Sequence, residues 1–357
     1  FFAYTSILEA VLKLLIIYLL LVVSYDKLIL YALLMLTVQV FVRFLYTVYC
    51  KRHFEECNSG RTYDKAVTKD ILSFAGWSLL GNFGITCRDQ VTNIIFNVFF
   101  QTPVVNAARG IATQVSGIIS TFATNITMAI NPQITKNYSS GNIKESVSLV
   151  YMGCRASFYM LTLIVVPFVV NVDYVLELWL ERVPENTSLF LYFILGVALI
   201  YSLSQPITVA IQATGDIKAF QIWIFSLMVL EVCLTYLVLW ITGSLVYALV
   251  PSVVVNFIST AVRMALVKKK VGAYSFRQYA FDVVFRCVMV LLISCVVAIY
   301  IHYMIGYESF VAFLGECVVL AVSTIVIILL FGLKRDERLQ LVSKLTMSVK
   351  RLNGRRV

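Results

Sequence analysis

Residues 71–100 read ILSFAGWSLLGNFGITCRDQVTNIIFNVFF, a mostly apolar run that is long enough to cross a lipid bilayer. Polar side chains recur in it at intervals of three or four. This row comprises Asn82, Thr86, Asp89, Asn93 and Asn97, with Arg88 and Gln90 beside it. Such intervals place side chains on one face of an α-helix. The stretch therefore predicts an apolar helix that carries one polar face.

A second row of polar residues follows within residues 104–135. It has the same helical spacing and comprises Asn106, Arg109, Thr113, Ser116, Ser120, Thr124, Thr127 and Asn131. Charged and amide groups at bilayer depth are costly against lipid. We therefore expect both rows to face a common polar space. The alternative interpretation is that the two rows hydrogen-bond to each other and join their helices, as polar residues do in membranes.

The composition is that of a membrane protein with several spans. Of the 357 residues, 60% are hydrophobic and 13% are charged, whereas soluble domains are usually about 45–50% apolar. We predict an all-α polytopic membrane protein with about ten transmembrane helices. The ten hydrophobic runs cover residues 4–23, 28–49, 71–100, 104–135, 150–170, 188–210, 219–241, 245–267, 281–303 and 309–333.

Basic residues are distributed unevenly between the predicted loops. The opposite loops contain only Lys27 and Arg182, and five further basic residues lie within the predicted spans. The remaining 22 of the 29 Lys and Arg residues fall in five segments on one side: 50–70, 136–155, 211–218, 268–286 and 334–357. Since Lys and Arg accumulate in short cytoplasmic loops, we predict a cytoplasmic C-terminus. The formal charge of +10 is interpreted as charge at the membrane surface and not as a nucleic-acid-binding surface.

The sequence contains no recognisable nucleotide-binding or catalytic motif. Its eight cysteines follow no zinc or redox spacing. We therefore expect no catalytic residue, no metal and no cofactor. His302, between the aromatic residues Tyr300 and Tyr303, is expected at the membrane interface, and Glu316 is expected to be peripheral.

Five short strings of residues occur in order along the predicted spans. They are SFAGWSLLG at 73–81, VNAARGIA at 105–112, NPQITK at 131–136, LELWL at 176–180 and QATG at 212–215. Together they resemble the polysaccharide-biosynthesis flippases of the lipopolysaccharide O-antigen type. That family belongs to the multidrug/oligosaccharidyl-lipid/polysaccharide exporter superfamily.

The resemblance implies two six-helix lobes around a central cavity, followed by two additional helices. The chain begins at Phe1 without a methionine, and on the family pattern it begins near the fifth helix, so the first four helices are expected to be missing. The first parts implied are the last two helices of the N-terminal lobe at 1–50 and a cytoplasmic loop between the lobes at 51–70. They are followed by the C-terminal lobe at 71–267, the additional helix pair at 281–333 and a basic cytoplasmic tail at 334–357.

The resemblance also implies a function. Family members move a lipid-linked oligosaccharide, a repeat unit on polyprenyl pyrophosphate, across the bacterial inner membrane by alternating access. The expected partners are this substrate, membrane lipids and polysaccharide-assembly proteins, with no nucleic acid. Side-chain amides and hydroxyls suit sugar hydroxyls, and arginines suit phosphate. The residues expected to line the substrate cavity are Asn82, Arg88, Asp89, Asn93, Asn97, Asn106, Arg109 and Thr113.

Two further interpretations stay open at this point. A multidrug or other small-molecule antiporter of the same superfamily would share the fold, and a membrane polysaccharide polymerase or ligase would be an enzyme. Against the enzyme, the predicted external loops are short. Glu231 lies within a predicted span. It is a candidate for proton or cation coupling, and the alternative is a protonated or helix-paired acid without a transport role.

Overall fold

The structure is a computed structural model, and it describes residues 1–22, 26–57, 64–305, 310–334 and 337–338. These residues form helices joined by turns, and no strand occurs among them. The predicted all-α fold is confirmed. Most of the basic tail at 334–357 and part of the predicted loop at 51–70 lie outside the described residues.

The helices are α1 (Phe2–Val22), α2 (Lys27–His53), α3 (Lys65–Phe100), α4 (Pro103–Ser139), α5 (Ile143–Val170), α6 (Val172–Trp179), α7 (Thr187–Ser202), α8 (Gln205–Ala213), α9 (Lys218–Thr242), α10 (Leu245–Val271), α11 (Phe276–Tyr279), α12 (Arg286–Ile305) and α13 (Phe310–Ile327). Short π-helical segments, Ala280–Phe285 and Ile328–Gly332, continue α11 into α12 and extend α13.

Seven stretches of helix in the described residues are long and apolar enough to cross a membrane. The other three of the ten predicted spans coincide with α1, α3 and α4, which are helical but are not among the seven. In α3 and α4 the polar rows lower the average hydropathy. The seven are Lys27–His53, Ile143–Val170, Thr187–Ala213, Lys218–Thr242, Leu245–Val271, Phe276–Met304 and Phe310–Gly332.

The chain divides into two compact units, Phe1–Asp70 and Ile71–Val357. In the first unit, α1 and α2 pair through a small apolar core that includes Ile16, Val38 and Val42. The first four backbone N–H groups of a helix lack partners within it, and at the start of α2 the side chain of Asp26 accepts hydrogen bonds from two of them. This capping fixes where α2 begins.

In the second unit, α5 is the central helix. Its sequence is apolar on nearly every face, and most of its length is buried between α4, α7, α8, α12 and α13. At Gly153 the backbone approaches α8, so that a Cβ there would lie 3.3 Å from Pro206 Cγ. A helix that is hydrophobic all round is expected in such a buried position.

The span Thr187–Ala213 is interrupted between α7 and α8. Pro206 lies in the first turn of α8, where its missing N–H costs no helical hydrogen bond. Ser204 Oγ donates to the carbonyl of Tyr201 at 3.2 Å, and Thr208 Oγ1 donates to the carbonyl of Ser204 at 3.4 Å. Both carbonyls also accept a backbone N–H, from Ser204 and Thr208 respectively, so the hydroxyls add a second hydrogen bond to each carbonyl at the interruption.

Only Gln101 and Thr102 separate α3 from α4. Gln101 has a positive φ of 50°, and Thr102 is extended before Pro103, which begins α4. A residue before proline is restricted to extended conformations. The turn therefore reverses the chain abruptly and brings the two polar rows next to each other at this end.

The structure corrects the expectation for Glu316, which is only 1% exposed and not peripheral. His302 Nδ1 of α12 lies 2.9 Å from Glu316 Oε1 of α13. A buried carboxylate requires a polar partner, and the imidazole supplies it across the two helices. The two residues are 14 positions apart in the sequence, so helical spacing within one segment could not predict this pair.

Candidate functional site

The two polar rows meet at Arg109. Its guanidinium extends from α4 to α3, where Nη1 donates to the backbone carbonyl of Asp89 at 3.2 Å and also to Asn93 Oδ1. One turn away on α4, Asn106 Nδ2 donates to the carbonyl of Asn93 at 3.3 Å. The amides and the arginine thus bridge the helices, as the alternative interpretation of the rows predicted.

Hydroxyl groups of the rows behave differently from the amides. Thr86 donates to a carbonyl of α3, and Thr113 and Thr124 donate to carbonyls of α4, each four residues earlier in its own helix. A hydroxyl that bonds within its own helix keeps lone pairs for another donor. These residues therefore present acceptors without joining the helices.

Four charged residues form one cluster between α3, α4 and α9. Arg88 Nη2 donates to Asp89 Oδ1 at 3.0 Å, and Arg88 Nη1 lies 3.7 Å from Oε2 of Glu231. Arg109 Nη2 lies 3.7 Å from the same oxygen of Asp89. The two positive charges are balanced by two negative charges, as a low-dielectric environment requires. Arg88 and Arg109 are therefore neutralised by carboxylates of the chain itself.

A cavity of about 570 Å³ opens beside this cluster, and we call it the Arg109 cavity. Its walls come from α3, α4, α7, α9 and α10. The aromatic rings of Phe96 and Phe190 form part of these walls, and their centroids lie 5.8 Å apart. Six of the eight residues expected at the substrate cavity line this space: Arg88, Asp89, Asn93, Asn106, Arg109 and Thr113.

A second cavity, of about 430 Å³, lies next to the first, and we call it the Arg263 cavity. It is lined by amides and hydroxyls that include Asn82, Gln212, Gln221, Asn256 and Ser259. The two cavities share four lining residues: Arg88, Ile194, Val197 and Glu231. The Arg88–Glu231 ion pair therefore stands in the wall between them.

The cavities are stacked along the helices. On α9, Thr235 lines the Arg109 cavity, Gln221 lines the Arg263 cavity, and Glu231 lies between these positions and lines both. On α10, Ser252 belongs to the first cavity and Ser259 to the second. With a rise of about 1.5 Å per residue, the two spaces occupy successive depths of the same bundle.

The remaining predicted residues are placed as follows. Asn82 lines the Arg263 cavity. Asn97 is exposed and is not among the residues that line either cavity. Glu231 is only 8% exposed and lines both. The structure thus brings most of the candidates to one region and leaves Asn97 outside it.

Sequence reasoning missed Arg263, which lies on α10. It is the one charged residue that lines the Arg263 cavity without also lining the Arg109 cavity. The available signal was an arginine within the apolar run at 245–267, because an ionisable residue inside a span indicates a functional site. In the part of the chain that the structure describes, no group of three or more His, Cys, Asp or Glu residues is arranged to hold a metal ion.

Comparison with known proteins gives one family. No curated protein and no solved structure matches the chain. A match to one family model, in contrast, covers residues that begin in α3, next to the polar row, and end in α9, beyond Glu231. Residues 78–237, which include the charged cluster, match the MatE family of exporters.

Proposed function

We propose that the chain is a flippase that moves a lipid-linked oligosaccharide across the bacterial inner membrane for surface polysaccharide synthesis. In this proposal it is a multi-pass protein with a cytoplasmic C-terminus, and its cargo is a repeat unit on polyprenyl pyrophosphate. The observation that carries the proposal is the pair of polar cavities stacked along one bundle of apolar helices. The match to MatE supports membrane export over catalysis.

The lining of the cavities suits a sugar. Asn82, Asn93 and Asn106 offer both donors and acceptors, and Gln212 and Gln221 add two more amides. Each polar group that crosses the hydrocarbon core without a partner costs several kcal/mol. Stacked polar cavities reduce this barrier for the oligosaccharide, while the polyprenyl chain stays in the lipid.

In this proposal, the ion pair between the cavities controls the passage of the cargo from one cavity to the other. A cargo that passes from one cavity to the other has to separate Arg88 from Glu231, whose charged atoms are 3.7 Å apart. Protonation of Glu231 would remove its charge and weaken the pair. We therefore keep Glu231 as the residue proposed to couple transport to protons.

A small-molecule efflux pump is the second candidate. The Arg109 cavity contains Phe96 and Phe190 beside Glu231, and aromatic rings with a buried acid would suit an organic cation. The two arginines and two carboxylates that line this space balance each other, so its net charge does not favour a cationic cargo. A polysaccharide polymerase or ligase has no comparable support in the described residues.

The deciding experiment is complementation of a flippase-deficient strain, with the chain expressed together with any segment that precedes it in its gene. The proposal expects restored surface polysaccharide and loss of the accumulated lipid-linked oligosaccharide. Glu231→Gln is expected to reduce export, whereas Glu181→Gln, an exposed acid outside the cavities, is the matched control. Unchanged accumulation at normal protein abundance, together with gained resistance to cationic drugs, would replace this proposal by efflux.

A further inference from the structure

Arg263 is a buried cation without a counter-charge among the residues that the structure describes. It is 6% exposed, and no carboxylate of the described chain forms an ion pair with it. Its Nε has no hydrogen-bond partner among the described residues. A buried charge is costly unless it is paired. The described residues therefore leave the environment of Arg263 incomplete.

The guanidinium is nevertheless held in place. Arg263 Nη1 donates to Ser204 Oγ at 3.1 Å, and the Arg263 Cζ lies 5.3 Å from the ring centroid of Tyr201. Tyr201 lies in the last turn of α7 and Ser204 lies between α7 and α8, where Thr260 Oγ1 is 3.3 Å from Ser204 Oγ. A planar guanidinium fixed by a ring and a hydroxyl keeps its remaining donors in a defined fork.

The two cavities differ in charge. The charged residues of the Arg109 cavity are two arginines and two carboxylates. The Arg263 cavity shares one of each, Arg88 and Glu231, and adds only Arg263. It therefore carries an excess of one positive charge in a space of about 430 Å³. That charge and the unused arginine donors are complementary to an anion.

We propose that the Arg263 cavity is a binding site for the phosphate group of an anionic lipid, with Arg263 as the residue that contacts it. In the proposed flippase, on which this identification of the lipid rests, the group is the pyrophosphate of the carrier. Gln212, Gln221 and Ser259 line the same space and supply further donors to phosphate oxygens. The arginines first expected to bind phosphate, Arg88 and Arg109, instead neutralise carboxylates.

The test uses the purified full chain in neutral detergent, with inorganic pyrophosphate and farnesyl pyrophosphate as probes and farnesol as the uncharged comparison. Isothermal titration is expected to show binding of both pyrophosphates and weaker binding of farnesol. Arg263→Gln should weaken the pyrophosphates by at least about tenfold, since hydrogen bonds to charged groups are lost. Arg277→Gln, at an exposed arginine of α11, controls for general charge and should bind as the unchanged protein does.

Two further measurements keep the result interpretable. Arg263→Lys keeps the charge and is expected to fold, with affinity between that of the unchanged protein and Arg263→Gln because the fork is lost. Without ligand, Arg263→Met should melt at the same or a higher temperature, since an unpaired buried charge has been removed. An arginine kept only for packing would give lower melting.

The outcomes separate the site from the function. Competition by nanodiscs containing phosphatidylglycerol would identify a bulk lipid headgroup as the source of the phosphate, and its absence would favour the carrier; both support the site. Pyrophosphate binding that depends on Arg263, together with failed complementation, would keep the site and reject the flippase. Equal affinity of the unchanged protein and Arg263→Gln, or no binding of either pyrophosphate at millimolar concentration, would overturn the assignment.

Discussion

Arg88 on α3 and Glu231 on α9 form an ion pair, with Nη1 and Oε2 3.7 Å apart, and both residues line both cavities. The pair is asymmetric. Arg88 has a second carboxylate, Asp89, at 3.0 Å, whereas Arg88 is the one ion-pair partner of Glu231 within 4 Å in the described residues. Removal of the arginine therefore leaves more uncompensated charge than removal of the acid.

This asymmetry predicts unequal effects on stability. Breaking a buried ion pair costs about 3–5 kcal/mol, and because the Arg88 side chain is 25% exposed, we expect about 1–3 kcal/mol for Arg88→Ala. Glu231→Gln should cost less than half of that. The double variant should be more stable than Arg88→Ala alone, since no unpaired carboxylate remains at 231.

Thermal unfolding of the purified variants measures these differences, with the exposed Arg182→Ala as the control. Additive effects of the two substitutions would show that the two charges do not interact energetically.

Arg109→Lys should retain part of the export activity, and Arg109→Ala should lose more. Lysine keeps the positive charge near Asp89 but cannot donate at once to the Asp89 carbonyl and to Asn93 Oδ1. Loss of a hydrogen bond from a charged group costs about 1.5–3 kcal/mol. Surface-polysaccharide export in the complemented strain, normalised to protein abundance, is the measurement. Full export by Arg109→Ala would remove this residue from the transport mechanism.

The polar rows were predictable because their geometry is local. Helical spacing fixes which residues share a face, so the positions of Asp89, Asn93 and Arg109 followed from residues 71–135 alone. Asn97 continues the row of α3 in sequence but lies outside the cavities, since the helices that enclose them do not cover its position. Periodicity predicts a face of a helix and not the length over which that face is covered.

The Arg263 cavity was not predictable in this way. Arg263 meets Ser204 and Tyr201, which are 59 and 62 positions earlier in the chain and belong to the interrupted helix pair. No periodic pattern links these residues. The same reason explains His302 and Glu316, whose pairing depends on how α12 packs against α13.

A close contact between α3 and α9 predicts that Gly84→Ala is destabilising. A Cβ at this position would lie 2.8 Å from Phe225 Cδ2 and 3.1 Å from Met228 Sδ, and overpacking costs about 1–3 kcal/mol. Gly76→Ala, on the same helix, has no atom within 4 Å of its new Cβ. That control should be neutral or stabilising, since alanine favours helix by up to about 1 kcal/mol. Equal melting temperatures of the two variants would contradict the close contact.

The predicted orientation can be tested with a native cysteine. Cys57 is exposed and follows α2 in the basic segment predicted to be cytoplasmic. In a variant whose other cysteines are serines, a membrane-impermeant maleimide should label Cys57 in inverted vesicles and not in intact cells. Glu181→Cys in the cysteine-free background, on the opposite side, should show the reverse. Labelling of Cys57 in intact cells would reverse the assigned topology.

Because only Gln101 and Thr102 connect α3 to α4, a change in their backbone angles would rotate α3 about this end. Gly81 lies 20 residues from Gln101 along α3, which corresponds to about 30 Å, so a rotation of about 10° at the turn would displace it by about 5 Å. Arg88, nearer the turn, would move by only about 3.5 Å. A rotation of this size directed away from α9 would part Arg88 from Glu231, and it would displace the α3 residues of the Arg263 cavity more than those of the Arg109 cavity.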